Sequence, residues 1–443
     1  MRPKTSPHVH IETFGCQMNE SDSELVRSML KQDGFVFTED RERADVVLVN
    51  TCAIRENAHN KIYAHLSELK AVKKQRALVI GVLGCMAQNL KADLAEKEPL
   101  IDVLAGPDSY RQLPSLITTA LETQEQGLSQ KRFALDLSEY ETYEGILPDR
   151  ESGVNAWITV MRGCDNFCSF CVVPYTRGRE RSRDPESILL EARDAAEHGF
   201  KQITLLGQNV NSYRHDEWDF ARLIKAVADT DGIDRVRFTS PHPKDFPPAL
   251  IEAIATHPKI CKHIHLPLQA GSDRILELMG RNYTGAEYLG LVDRIRATIP
   301  DIVLTTDIIC GFCSESDEEF YETSRIVEQA QLDSAYIFKY SERKHTIAAR
   351  KYADDVPEQV KGQRVSTLVG IQRAITAERN RRYIGRDVEI LVEGDATRSS
   401  AQGMGKTDGN ITVVWDKGTG HSEPGTLLTK RVFDASAATL YGE

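Results

Sequence analysis

A chain of 443 residues exceeds what one ordinary hydrophobic core can organise, and two to four domains are expected, three being the most consistent number. Its 41% hydrophobic and 27% charged residues suit a soluble globular protein, and no apolar run approaches the roughly 18 residues needed to cross a bilayer. A net charge of -11 excludes a uniformly basic nucleic-acid binder and leaves room only for local basic patches.

The opening residues MRPKTSPHVH carry basic side chains with no apolar segment behind them, so no secretory signal is expected and a cytoplasmic location follows by default. From there to residue 122, apolar runs alternate with helical patterns: HIETFG at 10–15, ADVVLVNT at 44–51, RALVIGVLG at 76–84 and IDVLAG at 101–106. That alternation predicts a parallel sheet with helices on its faces, an α/β domain over 7–122. Gln, Glu, Ser and Tyr then dominate, with little apolar periodicity, and 123–149 reads as a surface linker.

A second alternation fills 150–382. Its six predicted strands are AWITVMR at 156–162, QITLLG at 202–207, RVRFTS at 235–240, HIHLPL at 263–268, VLTTDII at 303–309 and AYIFKY at 335–340. No Gly-rich fingerprint follows the first of them, so a full or partial (β/α) barrel fits better than an open nucleotide fold. Beyond a long helical segment near 357–382, short strands and Gly-rich turns predict a small all-β unit over 384–443.

Nine cysteines is an odd number, and a disulfide framework belongs to short secreted chains, so thiolate ligation or burial is the better reading. Three of the nine, Cys164, Cys168 and Cys171, stand in MRGCDNFCSFC just after the first predicted strand of the second alternation. Thiolates on one loop can face a common centre, and with no fourth protein ligand nearby one iron of a 4Fe-4S cluster would stay open to a small molecule. Packed core thiols and a structural zinc site are the alternatives; zinc usually takes paired knuckles rather than this spacing. A second triad is dispersed: Cys16, Cys52 and Cys85 each end a predicted parallel strand, in ETFGC, LVNTC and VLGC. The carboxyl ends of such strands open on one crevice, so these thiolates can converge, the alternative being inert buried cysteines.

CxxxCxxC after the first strand of a barrel resembles the signature of the radical S-adenosylmethionine (SAM) enzymes. The resemblance implies that the open iron chelates SAM, whose reductive cleavage yields a 5′-deoxyadenosyl radical, and that Phe170 packs near the adenine. It also makes Gln208 and Asn209, in LLGQNVNS, candidate contacts to the methionine end of SAM, with an ordinary polar turn as their other reading. GCQMNESDSE at 15–24, NTCAIRENA at 50–58 and GCMAQ at 84–88 resemble the N-terminal domain of the methylthiotransferases, which implies a second 4Fe-4S cluster on Cys16, Cys52 and Cys85. The likeness continues through SPHPKDF at 240–246, HLPLQAGSDRILELMGRNYT at 265–284 and FKYSERKHTIAAR at 338–350, and it adds Ser240, Gln269 and Asp307 as candidate SAM contacts. The last unit resembles a TRAM domain, an RNA-binding barrel. The whole is most similar to the MiaB-type tRNA methylthiotransferases.

That likeness implies methylthiolation at C2 of an N(6)-isopentenyladenosine beside the anticodon. The expected partners are a tRNA anticodon stem-loop and an electron donor such as a flavodoxin or ferredoxin, with no membrane. Relatives acting on threonylcarbamoyl-adenosine, or on an aspartate of a ribosomal protein, are the rival substrates. The protein-modifying relatives typically have GCPKN where this chain has GCQMN. A non-enzymatic iron-sulfur carrier is the rival of another class, weakened because open irons invite ligands. DIICGFCSES at 307–316 departs from the family pattern and puts Cys310 and Cys313 in altered places, where packed thiols are expected. Cys261, His263 and His265 read as core residues.

The last unit has six Lys/Arg against nine Asp/Glu, so charge does not mark it as an RNA binder. Basic residues cluster instead before it, at Arg373, Arg379, Arg381 and Arg382, and in RGRERSR at 177–183. Arginine forks bind phosphates bidentately, so Arg177, Arg179, Arg381 and Arg382 are the candidate RNA contacts, with solvated surface positions as the alternative.

Overall fold

The computed structural model describes residues 6–53, 56–128, 130–418 and 423–443. The first five residues and the Ile54–Arg55 pair of the second family motif therefore lie outside the described residues, as does Ser129 of the expected linker.

The N-terminal domain is a six-stranded parallel sheet in the order β2-β1-β3-β4-β5-β6, formed by β1 (His8–Phe14), β2 (Val36–Phe37), β3 (Val46–Thr51), β4 (Val79–Gly84), β5 (Val103–Ala105) and β6 (Arg132–Ala134). Alternation along β3 assigns the two faces. Val46 and Leu48 join the core beneath α1 (Gln17–Gln32) and α4 (Leu113–Glu125). Val47 and Val49 join the opposite core under α2 (Glu56–Lys73) and α3 (Cys85–Lys97). The segment expected to be a linker is built into this domain: its first residues end α4, its middle pairs with β5 as an edge strand, and Tyr143 is buried against Tyr110. Three residues of edge strand and one anchoring aromatic leave too little apolar periodicity to be read in the sequence.

All six expected barrel strands are present as two three-stranded parallel sheets, β13-β10-β7 and β14-β15-β16. They are β7 (Asn155–Thr159), β10 (Gln202–Leu206), β13 (Arg235–Phe238), β14 (His263–His265), β15 (Val303–Cys310) and β16 (Ser334–Lys339). A parallel bridge from Val236 to Ile260, just before β14, leads from one sheet to the other, giving a partial barrel. Two short antiparallel pairs decorate it, β8 (Met161–Arg162) with β9 (Arg181–Ser182) and β11 (Arg214–His215) with β12 (Trp218–Asp219). Helices α6 (Pro185–Glu197), α7 (Phe220–Ala228), α8 (Pro248–Thr256), α10 (Gly285–Thr298) and α11 (Asp317–Ala330) contribute apolar faces to the surrounding core. The short helices α5 (Val173–Thr176), α9 (Asp273–Met279) and α12 (Ile347–Lys351) stand at loops, and α13 (Glu358–Arg381) leads to the last domain. Thr284 with Glu287 and Ser316 with Glu319 close capping boxes on α10 and α11, satisfying first-turn amides that would otherwise be orphaned.

The C-terminal domain is a closed five-stranded barrel, β17-β18-β19-β21-β20 (Asp387–Ala396, Ser399–Thr407, Thr412–Asp416, Leu440–Gly442 and Leu427–Ala435). The turn joining β18 and β19 enters the end of the large barrel where its strands begin. Arg237 donates to the carbonyls of Thr407 and Asp408, at 2.6 Å each, and Arg235 to that of Lys406 at 2.6 Å. Gly409 lies so close to Val303 that a Cβ there would stand 2.5 Å from its Cγ2. The small barrel thus plugs one end of the large one and leaves the carboxyl ends of its strands for the site.

Candidate functional site: two thiol triads at one domain interface

The loop Gly163–Val172 leaves β8 and is held from three sides. Its Cys164 amide donates to Gly178 at 3.2 Å, Ser169 donates through its amide and hydroxyl to Met279 and Leu278 at 2.9 and 2.7 Å, and Ala348 donates to the Ser169 carbonyl at 2.7 Å. These bonds fold three thiols into one loop. Asn166 Nδ2 lies 3.5 Å from Cys164 Sγ, Arg281 Nη1 3.3 Å from Cys168 Sγ, and the Val173 amide 3.5 Å from Cys171 Sγ. Each sulfur therefore has a donor suited to a thiolate. Desolvation pushes Cys164 up to about 11 and Cys171 up to about 12, so the thiolate forms need a cation, or a cluster of them, to be populated.

The dispersed triad is brought together as the strand ends require. Cys16 N-caps α1 after β1, Cys52 follows β3, and Cys85 opens α3 after β4; these three strands are adjacent in the sheet. A hydrogen bond from Cys52 holds Cys16 down at about 6, against the opposing effect of burial, with Arg177 adding its charge. Burial raises Cys85, and Arg177 Nε donates to its sulfur at 3.2 Å. Asn19 Nδ2 donates to Asn50 Oδ1 at 3.0 Å, and Asn50 donates to the Asn19 carbonyl and to Ser23, both at 2.9 Å, which ties the loop after β1 to β3. Among the described residues no three His, Cys, Asp or Glu side chains close as tightly as a single metal ion would draw them. In a four-iron cluster each thiolate binds its own iron, so three thiols around a wider centre fit the donor set.

The triads approach each other across the interface. Val172, next to Cys171, forms one small buried cluster with Cys85 and with Ala53, next to Cys52. Ser21 and Thr159 hydroxyls meet at 3.1 Å where α1 crosses β7. Asp22 of α1 accepts from Arg162 at 2.6 Å and Arg177 at 2.7 Å, and Asp108 accepts from Arg181 at 2.9 Å.

Beside the CxxxCxxC loop, several buried polar atoms have no hydrogen-bond partner among the described residues: both ends of the Gln208 amide, Asn209 Oδ1, Gln269 Oε1 and His242 Nε2. An unsatisfied buried polar atom costs about 1–3 kcal/mol, so this side suits a polar ligand such as SAM. Phe170 is half-buried against the barrel core. Ser240 and Gln269 take left-handed backbone, with φ of 60° and 70°. Asp307 pairs with His265 at 3.2 Å, and Thr305 bonds His263 and His265 at 3.1 and 2.9 Å, so both rings have partners. Cys261, Cys310 and Cys313 are buried thiols apart from both triads.

Two residues escaped the sequence reading. Glu180 accepts from the Asp165 amide at 3.2 Å, from Asn209 at 3.1 Å and from Ser212 at 2.7 Å, joining the thiol loop to the turn after β10. Arg281 is the other: it stands inside the quoted stretch HLPLQAGSDRILELMGRNYT, where nothing local marks it as a partner of a thiol. The expected phosphate contacts divide. Arg177 is corrected: it is 3% exposed and occupied by Asp22 and Cys85, so it offers no surface fork. Arg179 and Arg381 pair with Asp165 at 3.0 Å and Glu378 at 2.7 Å but keep side chains 68% and 66% exposed, whereas Arg382 leans on Asp333 at 2.9 Å with its side chain 23% exposed.

Comparison with known proteins accords with this architecture. The uncharacterized protein family UPF0004 matches residues 8–106, the Radical SAM superfamily 158–327 and the TRAM domain 381–443. A tRNA-2-methylthio-N(6)-dimethylallyladenosine synthase of Porphyromonas gingivalis strain W83 is 47% identical over 450 residues, covering 99% of this chain and 95% of its own length. The enzymes of that name from Bacteroides thetaiotaomicron and Chlorobium luteolum are each 46% identical, covering 98% of this chain and 95% and 96% of their own. Among solved structures, the radical SAM methyltransferase TsrM of Kitasatospora setae superposes with a TM-score of 0.58 at 14% identity, covering 78% of this chain and 77% of its own, a likeness of fold alone. The matched domains define a radical SAM enzyme that uses SAM and 4Fe-4S clusters. Within that class, the chain belongs to the MiaB-type methylthiotransferases. No helix among the described residues is long and apolar enough to cross a membrane.

Proposed function

We propose that this enzyme methylthiolates C2 of N(6)-isopentenyladenosine beside the anticodon of tRNA, with Cys164, Cys168 and Cys171 holding one 4Fe-4S cluster and Cys16, Cys52 and Cys85 the other. When bound, the first supplies reductive cleavage of SAM and the second a source of sulfur, chemistry that side chains alone do not carry. The chain's own residues ligate, orient and shield. Gln208, Asn209 and Gln269 give their unpartnered polar atoms to SAM, Phe170 packs against its adenine, and Ser240 and Asp307 complete that wall. Arg281 steadies Cys168, and Glu180 keeps the thiol loop in register with Asn209. Arg179, Arg381 and Arg382, with the small barrel, engage the anticodon stem-loop, and a flavodoxin or ferredoxin delivers electrons in the cytoplasm.

The observation that carries this reading is the buried cluster of Val172, Ala53 and Cys85, which joins residues of the two triads' surroundings across the domain interface. A scaffold with two independent clusters has no need of such contact; a transfer between them does. A prenyl group also adds apolar area worth roughly 25 cal/mol per Å² on burial, so the prenylated base is favoured over plain adenosine. The experiment is turnover of anticodon stem-loops carrying isopentenyladenosine, threonylcarbamoyl-adenosine or adenosine, followed by nucleoside mass spectrometry. A methylthio product on the first alone is expected. Preference for the second would overturn the substrate, and no 5′-deoxyadenosine with any of them would overturn the enzyme.

A further inference from the structure

Arg177 comes from the barrel domain, yet its three nitrogens sit among groups of the N-terminal domain. Nε donates to Cys85 Sγ at 3.2 Å, Nη2 to Asp22 Oδ2 at 2.7 Å, and Nη1 is buried without a hydrogen-bond partner among the described residues. Asp22, fully buried, also receives Arg162 on its other oxygen at 2.6 Å. One carboxylate thus serves two buried guanidiniums, and the neighbouring Asp108 is already paired with Arg181, so three buried guanidiniums share two carboxylates and one positive charge is left over. An uncompensated buried charge is costly, and the missing anion must lie close by. Among the described residues, the other acidic group that Arg177 hydrogen-bonds is the thiol of Cys85. Arg162, whose Nε is likewise buried without a hydrogen-bond partner among the described residues, differs in its neighbours: it donates to the Pro107 carbonyl at 3.3 Å and lies over the Tyr143 ring, and among the described residues none of its hydrogen bonds goes to a thiol.

We infer that Arg177 is a positioning residue for the cluster on Cys16, Cys52 and Cys85. Its guanidinium hydrogen-bonds the Cys85 sulfur, offers Nη1 to the anionic sulfur of that cluster, and fixes the cluster's distance from the CxxxCxxC loop through the short helix α5 that precedes it. Hydrogen bonds to cluster sulfurs and nearby positive charge stabilise the reduced, more negative state. The inference rests on the proposal that this triad holds a cluster, and the test separates the two.

The test uses the full chain with Cys164, Cys168 and Cys171 replaced by Ala, so that only the N-terminal cluster can assemble. Iron analysis comes first: no cluster in this background would remove the triad's role and the Arg177 inference with it. With a cluster present, Arg177→Gln is expected to shift its reduction potential downward. Arg162→Gln, which loses the same Asp22 partner without touching a thiol, should leave the potential in place. Equal potentials in all three proteins, or equal shifts in both variants, would reduce Arg177 to a domain clamp and overturn the inference. If Arg177→Gln fails to retain iron, the unaltered Arg177 answers directly. In protein grown with 15N-arginine, the reduced cluster should show a nitrogen hyperfine coupling, and its absence would overturn the inference.

Discussion

The carbonyl oxygen of Arg179 occupies the space that a side chain on Gly163 would need: a Cβ there would stand 1.9 Å from it. The contact lets the Cys164 amide reach Gly178 and so starts the thiol loop, with Gly163 at a φ of 77° that favours glycine. Neither cause of conflict can relax into a flexible side chain, because both lie in the backbone. Gly163→Ala should therefore displace the loop, halve the iron content and abolish 5′-deoxyadenosine formation while the N-terminal triad keeps its iron. Full iron content and cleavage in this variant would show that the loop tolerates another path.

The two triads belong to different domains, so their losses should differ. Cys164→Ala, Cys168→Ala or Cys171→Ala is expected to abolish reductive SAM cleavage. Cys16→Ala, Cys52→Ala or Cys85→Ala should preserve cleavage and lose the methylthio product. Assays of both products on freshly purified variants check this; wild-type methylthiolation in any of the second group would remove that triad's role.

The six barrel strands and the four principal N-terminal strands were legible because each is an apolar run, or alternates apolar with polar residues, and recurs at β/α spacing. The dispersed thiols were legible for a related reason, since residues directly after parallel strands share one edge whatever their separation in sequence; the other three were legible from their close spacing on one loop. The fate of Arg177 was not legible. Its carboxylate lies 155 residues away, and nothing local distinguishes a guanidinium that will be buried from one left in solvent. The same holds for Arg235 and Arg237, which alternate on β13 like ordinary strand residues yet serve as docking forks for another domain.

His242 offers a pH test. Burial, reinforced by the charges of Arg281 and Lys244, pushes its pKa down to about 3. The unfolded chain regains an ordinary value near 6.5, so between those values it binds a proton that the folded protein refuses. Stability should thus fall as pH drops below about 6.5, by at most about 1.4 kcal/mol per unit from this residue. Denaturant unfolding of the metal-free protein should show a shallower decline for His242→Gln than for the parent. Parallel curves would mean that the ring accepts its proton in the folded state.

Arg237 decides whether the small barrel is docked or merely tethered. It spans Gln202 at 2.9 Å and the Thr407 and Asp408 carbonyls at 2.6 Å, and bonds of this charge-assisted kind contribute about 1.5–3 kcal/mol each. Arg237→Leu removes all three and leaves two carbonyls facing an apolar side chain. Because Arg237→Leu also relieves the cost of burying the guanidinium, the net destabilisation expected is smaller than the sum of the three bonds, about 2–4 kcal/mol, together with faster amide exchange at the turn between β18 and β19. Iron content should stay unchanged, because the thiol loops stand at the opposite ends of the strands. Unaltered exchange at that turn would mean that Arg235 and the approach of Gly409 to Val303 suffice to hold the plug, and that the large barrel can be trimmed of this fork without freeing its partner.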